Sequence, residues 1–341
     1  MTNRESFASD NYAPVHPKVL ERMLKVNKGY ERSYGYDQES ELLNDNIERI
    51  FGLGQSAFLV ATGTGANVIA LQAVTERHEA VLASEFAHII VDEGGAPERF
   101  GCKIYPLVTE DDKITVGSIA KQAFGFGDQH RAQPGVLSIT QANEMGRVYT
   151  VKELNGLTQV AKGYGMRTHL DGARLANSIV TTASTAKELI AGFDVVSLGL
   201  SKTGGMVSEA VITRDPLVKE KLRYSRKSAT QLMSKLRYMA AQFNALLEDD
   251  LWLENAYQAN EMAGYLFEKL EGMPRIEILR KPEANAVFVK IGCKQIEQIA
   301  DELGFYIWDR ESNLVRFMTS WCSTREGVDT FISELGKAVK K

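Results

Sequence analysis

At 341 residues, 44% hydrophobic and 25% charged, the chain has the balance of a soluble globular protein, long enough for one large domain and a smaller one. A net charge of -4 with no basic cluster argues against nucleic acid or an anionic membrane as partner and points to a small molecule. Cys102, Cys293 and Cys322 are odd in number and far apart, which suggests neither a disulfide framework nor a metal site; no basic-then-apolar leader opens the sequence, so a reduced, cytoplasmic protein is expected.

Residues 1–14 show little periodicity and read as an irregular arm. Leu20, Met23 and Leu24 after Pro17 fall at helical spacing, as do Leu42, Leu43, Ile47, Ile50 and Phe51 before Gly52. Between them runs a Gly- and Tyr-rich loop, 30–37. The stretch 56–74 is uncharged, yet Thr-Gly-Thr-Gly-Ala-Asn at its centre would break a membrane-spanning helix, so it reads as strand, loop, helix.

From residue 57 short apolar runs alternate with helical ones. Strands are expected at 57–61, 80–83, 103–108, 136–140, 168–170, 195–198 and 207–212, with helices at 66–75, 114–124, about 154–161 and 186–191. That rhythm predicts an α/β fold: a mostly parallel central sheet covered on both faces. Two longer helical patterns follow at 230–248 and 250–270, and Asp249–Asp250 between them marks the expected boundary of a large domain, 15–249, and a small one, 250–341. The small domain reads as α+β, with strands at 276–279, 286–291, 305–308 and 314–319, a helix near 295–303, and a final helix opened by a Ser323 to Glu326 capping box.

Polar residues at the ends of the central strands carry the chemistry. Asp171, Arg174 and Lys202 follow two neighbouring apolar runs, which delivers a carboxylate, a guanidinium and an amine to one sheet edge. That trio suits pyridoxal phosphate (PLP), with Lys202 as the amine that takes the aldehyde, Asp171 against the protonated ring nitrogen and Arg174 near the ring hydroxyl. Taken singly, Asp-Gly-Ala-Arg reads equally well as a turn with an ion pair. Gly63, Thr64 and Gly65 lie between strand and helix, where free N–H groups and the helix dipole make a phosphate cradle or simply a turn. His88, at a strand end, can stack on a flat cofactor or move a proton, and Asp92, four residues on, can orient it or a water. Arg316, a charge inside the apolar strand Leu-Val-Arg-Phe-Met-Thr, is either solvated at an edge or a clamp for a carboxylate. His169 reads as a support beside Asp171.

Several motifs then coincide in order: Ala-Ser-Asp at 8–10, Tyr-Gly-x-Asp at 34–37, Phe-Leu-Val-Ala-Thr-Gly-Thr-Gly-Ala-Asn at 58–67, Ala-His at 87–88 with Glu-Gly-Gly at 93–95, His-Leu-Asp-Gly-Ala-Arg at 169–174 and Leu-Ser-Lys at 200–202. Together they resemble the low-specificity L-threonine aldolases, fold-type-I PLP enzymes. The resemblance implies Lys202 as the Schiff-base lysine, Asp171 and Arg174 as ring partners, and Gly63, Thr64 and Gly65 around the phosphate. It implies His88 with Asp92 for the proton of the substrate hydroxyl, and Ser9 and Arg316 for the substrate carboxylate. It also implies a homotetramer, a dimer of dimers with shared active sites, to which Tyr34 and Lys235 are candidate contributions. Many such proteins carry a histidine in the segment matching 141–147; here it reads Gln-Ala-Asn-Glu-Met-Gly-Arg, which leaves the choice between threonine and allo-threonine open. β-Elimination, transamination and a non-catalytic PLP carrier are the alternatives.

Overall fold

The computed structural model describes residues 5–340, so the first four residues of the expected arm lie outside the described residues. Seven strands form the large sheet: β1 (Ser56–Val60), β2 (Glu79–Ser84), β3 (Lys103–Leu107), β4 (Gln133–Thr140), β5 (Arg167–Gly172), β6 (Val195–Gly199) and β7 (Glu209–Thr213), in the order β1-β7-β6-β5-β4-β2-β3. Only β7 within it runs against its neighbours β1 and β6. β2 to β6 pair in parallel. This is the expected α/β architecture. Its central strands β4, β5 and β6 are almost continuously buried, as strands covered on both faces must be, whereas the edge strand β3 is not. One apolar cluster around Phe243, Leu246 and Trp252 fills one face, and a second around Val68, Ile69 and Leu71 fills the other.

A second, antiparallel sheet comprises β8 (Ile276–Ile278), β9 (Ala286–Ile291), β10 (Tyr306–Asp309) and β11 (Leu314–Met318), in the order β10-β11-β9-β8. Asp249 and Asp250 stand at positive φ in the turn between the helices Arg237–Leu247 and Leu251–Leu270. The longer of these helices serves both parts: Trp252 and Ala256 pack into the large core, Ala263, Leu266 and Leu270 under the small sheet. Phe7 closes that second core, its ring 4.7 Å from Phe331 and its carbonyl accepting from Met318 N–H at 2.8 Å.

The structure departs from the expected elements in several places. The helices Leu175–Thr182 and Pro216–Ser228 lie where none was assigned: the first is short and buries its polar Asn177 and Ser178 along with its apolar residues, and the second buries only Val218 and Leu222. The helix expected from residue 230 begins at Arg237. The final helix is capped by Thr324, whose Oγ1 accepts from Gly327 N–H at 3.0 Å, rather than by Ser323, which is taken up by the Ser320 N–H. No helix among the described residues is long and apolar enough to cross a membrane.

Candidate active site

Register brings the chemistry to one edge. Val60, Gly199 and Glu209 are opposite one another across β1, β7 and β6; Thr140 is opposite Asp171 and Gly172 opposite Leu198. The loops that leave the carboxyl ends of β1, β2, β4, β5 and β6 therefore meet above one cleft, the usual ligand position of an open α/β sheet.

Lys202 stands in the 3-10 turn Ser201–Thr203 directly after β6. Its amine donates to no partner among the described residues. Burial and the Arg174 guanidinium push its pKa down, against the pull of Asp10, Glu209 and Asp171. Across the cleft Asp171 is buried and fixed: Oδ1 accepts from Ala173 N–H at 3.0 Å and Oδ2 from the Asn67 amide at 2.9 Å. His169, two residues earlier, is fully buried between Ser138 Oγ (2.9 Å) and Ser197 Oγ (3.0 Å), the support the sequence suggested.

Burial pushes the His169 ring below its ordinary pKa, so it folds neutral while the unfolded chain protonates it. The stability it contributes is therefore full above about pH 6.5 and is lost as pH falls through the lower folded value. Urea unfolding is expected to lose roughly 1–3 kcal/mol through this group on acidification, with a flatter slope in His169→Asn; equal slopes would refute it.

The loop after β1 has the geometry of an anion cradle. Thr62 Oγ1 caps the helix Gly63–Val74 by accepting from Gly65 N–H at 2.9 Å, which leaves Gly63 and Thr64 N–H without a helical acceptor. The Gln231 amide lies against Gly65, where its carbon would be 2.4 Å from a Cβ, so any side chain there would displace Gln231. Gln231 Oε1 in turn accepts from Ala61 N–H at 3.1 Å.

His88 opens a one-turn helix, His88–Val91, and the structure gives its orienting contact to a residue not expected in that part. Nδ1 is 2.8 Å from Oε1 of Glu93, whose side chain is 0% exposed. Asp92, the expected partner, is 82% exposed and its Oδ2 is 3.7 Å from Nε2, too far for a hydrogen bond. The reason is local: the helix stops after one turn, so four-residue spacing no longer governs. Glu93 Oε1 also accepts from Asn67 (2.8 Å), which joins His88, Glu93, Asn67 and Asp171 in one chain. The Glu93 bond holds the His88 pKa up against burial. Glu144 accepts from His88 N–H (2.8 Å) and Thr140 Oγ1 (2.9 Å), and burial beside Asp171 pushes its carboxyl up.

Arg174 forms a two-pronged pair with Asp10, Nε to Oδ2 at 2.7 Å and Nη2 to Oδ1 at 2.9 Å. Asp10 is 2% exposed and also accepts from Asn285 at 3.0 Å. Ser9 caps the turn Asp10–Tyr12 by accepting from Asn11 N–H at 3.2 Å. Arg316, on β11, lies 4.7 Å from the Trp308 ring, and its buried Nε has no hydrogen-bond partner. Burial and the nearby Arg174 push its pKa down to about 10. Tyr34 and Lys235 are exposed on adjoining loops, linked through Tyr34 N–H to the Ser234 carbonyl (2.9 Å); no hydrogen bond or ion pair joins them to the Lys202 cluster of the same chain. Asp10, Asn67, Glu93, Glu144, Glu209 and Gln231 are the site residues to which sequence reasoning gave no role; Asp10, Asn67 and Glu93 lay inside quoted motifs, and Glu144 inside the quoted segment 141–147.

The site fits PLP: free N–H groups at a helix start for the phosphate, an enclosed carboxylate for the ring nitrogen, an unpartnered amine of depressed pKa for the aldehyde, and an orphaned guanidinium for a substrate carboxylate. Fold and site thus define a PLP-dependent enzyme of fold type I. The chain belongs to the beta-eliminating lyase family, whose model matches residues 6–294, and it is a lyase. It is 36% identical over 321 residues, 93% of each chain, to the low-specificity L-threonine aldolase of a Pseudomonas species. It is 37% identical over 329 residues, 95% of each chain, to the enzyme of the same name from Pseudomonas aeruginosa. A solved threonine aldolase of Leishmania major matches with a TM-score of 0.91 at 27% identity over 98% of this chain and 99% of that one.

Proposed function

We propose that this protein cleaves L-threonine, L-allo-threonine and related β-hydroxy-α-amino acids to glycine and an aldehyde. The observation that carries the reading is the nearness of Lys202, Asp171 and His88 to one another and of Arg316 to Arg174 and Asp10 beside them, and the relatedness to low-specificity threonine aldolases supports it. When bound, PLP supplies an attachment for the substrate amine and a sink for the electrons released at Cα. Gly63, Thr64 and Gly65 hold its phosphate, Asp171 keeps the ring nitrogen protonated, and Arg174 faces the ring hydroxyl with the nitrogen left over from Asp10. Arg316, with Ser9, grips the substrate carboxylate, which aims the Cα–Cβ bond and places the β-hydroxyl by His88. His88 Nε2 takes the hydroxyl proton while Glu93 pins the opposite ring nitrogen; Asp92, at the mouth, holds a water.

Residues 15–249 hold the cofactor and 250–341 close over the substrate. Two dimers form a cytoplasmic homotetramer in which Tyr34 and Lys235 serve the neighbour's site. The family description favours one competing reading, β-elimination, which yields ammonia and a keto acid instead of glycine. Incubating the purified protein with both threonine isomers and identifying products decides: glycine with acetaldehyde is expected, and a keto acid with ammonia would replace the proposal.

Glu93→Gln is expected to lower kcat about 10- to 100-fold by freeing the ring, and to move the acidic limb of the kcat/KM profile to lower pH, because the anion that raises the His88 pKa is gone. An unmoved limb would remove His88 as the base.

A further inference from the structure

Glu209 is a carboxylate that the chemistry above does not use, yet it stands inside the site. As the first residue of β7 it pairs with Gly199 on one side and Val60 on the other, so its side chain lies between the strand that leads to Lys202 and the one that leads to the cradle. A Cβ on Gly199 would come 2.7 Å from Glu209 Oε2, and one on Gly63 would come 3.8 Å from the same oxygen. The Glu209 carboxyl therefore lies directly against the Gly199 backbone, with the Ala173 Cα 3.2 Å from the same Cβ position. Ser201, the residue before Lys202, is near enough that its hydroxyl and backbone N–H both favour the Glu209 carboxylate.

We propose that Glu209 is a positioning residue that holds the turn carrying Lys202 and sets the charge on its amine. The groups facing Lys202 are Asp10 from the N-terminal turn, His88 at the head of the one-turn helix after β2, Asp171 from β5, Arg174 at the head of the helix Leu175–Thr182, and Glu209 from β7. Asp10 is committed to Arg174, and Asp171 to Asn67 and the Ala173 N–H. Glu209 is tied only to Ser201. Burial pushes its carboxyl up to about 7, against the Ser201 bonds and Lys202, while burial pushes the Lys202 amine down. Two ordinarily distant titrations are thereby brought together. A proton that leaves the Lys202 ammonium has an acceptor: the N–H bond breaks, an O–H bond forms on Glu209, and both groups end neutral.

The consequence for turnover rests on the role of Lys202 proposed above, but the titration itself does not. The test is trace acetylation with acetic anhydride of the full chain freed of cofactor, over a series of pH values, with mass spectrometry of the Lys202 peptide and a thermal unfolding curve for each variant. Glu209→Gln is expected to lower the Lys202 midpoint by about one pH unit, since an anion close by in a poorly solvated site is lost. Glu209→Asp restores at least half of that shift. With cofactor bound, the pH midpoint of the visible spectrum moves the same way. If Glu209→Gln does not fold, Ser201→Ala takes its place, because losing the bond that favours the carboxylate also lowers the lysine midpoint. A midpoint unchanged in the folded variant, or shifted equally by Gln and Asp, overturns the inference whether or not threonine is cleaved. Absent cleavage with a shifted midpoint overturns the function proposed above and leaves this inference standing.

Discussion

Lys202→Ala is expected to lose the visible absorption of the bound cofactor and to lower aldehyde release from L-threonine by on the order of 10³-fold or more. The amine is the anchor of the whole site: it is the unpartnered group toward which Asp10, Asp171 and Glu209 all direct negative charge. Alanine removes it and leaves those carboxylates with Arg174 as their remaining cation. Because the side chain makes no hydrogen bond among the described residues, the fold is expected to survive, with a thermal midpoint near that of the parent. Spectra before and after adding glycine, together with product analysis, check this. Turnover within tenfold of the parent would show that Lys202 is not the attachment point.

The second large effect concerns the pair Arg174–Asp10. Asp10 is buried and accepts both prongs of the guanidinium, and Asn285 fastens it to the Thr319 carbonyl of the small sheet (2.8 Å). Asp10→Ala strands a charged guanidinium in an enclosed site, so a loss of about 3–5 kcal/mol in unfolding free energy is expected. The pH dependence has a definite sign. Although burial pushes the carboxyl up, Arg174, Lys202 and Asn285 hold it down at about 2, below the unfolded value of 3.8. Its contribution is therefore complete above pH 3.8 and is lost as pH falls through about 2. Urea titrations at neutral and strongly acidic pH should show the two proteins far apart in the first and converging in the second. Superimposed curves would mean the pair contributes nothing to folding, and a constant offset would mean the loss does not come from the Asp10 charge. In the folded fraction, Arg174 is no longer aimed, so KM for threonine and the cofactor dissociation constant are both expected to rise.

Strand periodicity was legible along the chain because strands buried on both faces are rich in short apolar runs, as in Val-Val-Ser-Leu of β6 and Val-Leu-Ser-Ile of β4. The same argument placed Asp171 and Lys202 at one edge, since parallel strands end on the same side. Helices were legible where a periodic pattern runs over several turns, and missed in Leu175–Thr182, which spans about two turns and buries polar Asn177 and Ser178 beside its apolar residues. The His88 partner was misread because spacing along a helix assumes the helix continues; it ends at Asp92, and Glu93 turns back under the ring.

By itself, then, the sequence determined the layered sheet, the strand ends where ligands gather and the residue types offered there, because backbone pattern and burial are written locally in apolar periodicity. Only the tertiary structure decided which charges meet. Asp10 and Arg174 are 164 positions apart, and Asn67 and Asp171 are 104 apart. Glu209 reaches the turn before Lys202 because β7 runs backwards beside β6. Such partnerships depend on register and packing between distant segments, which no local spacing encodes, and they fix the protonation of the groups that do the chemistry.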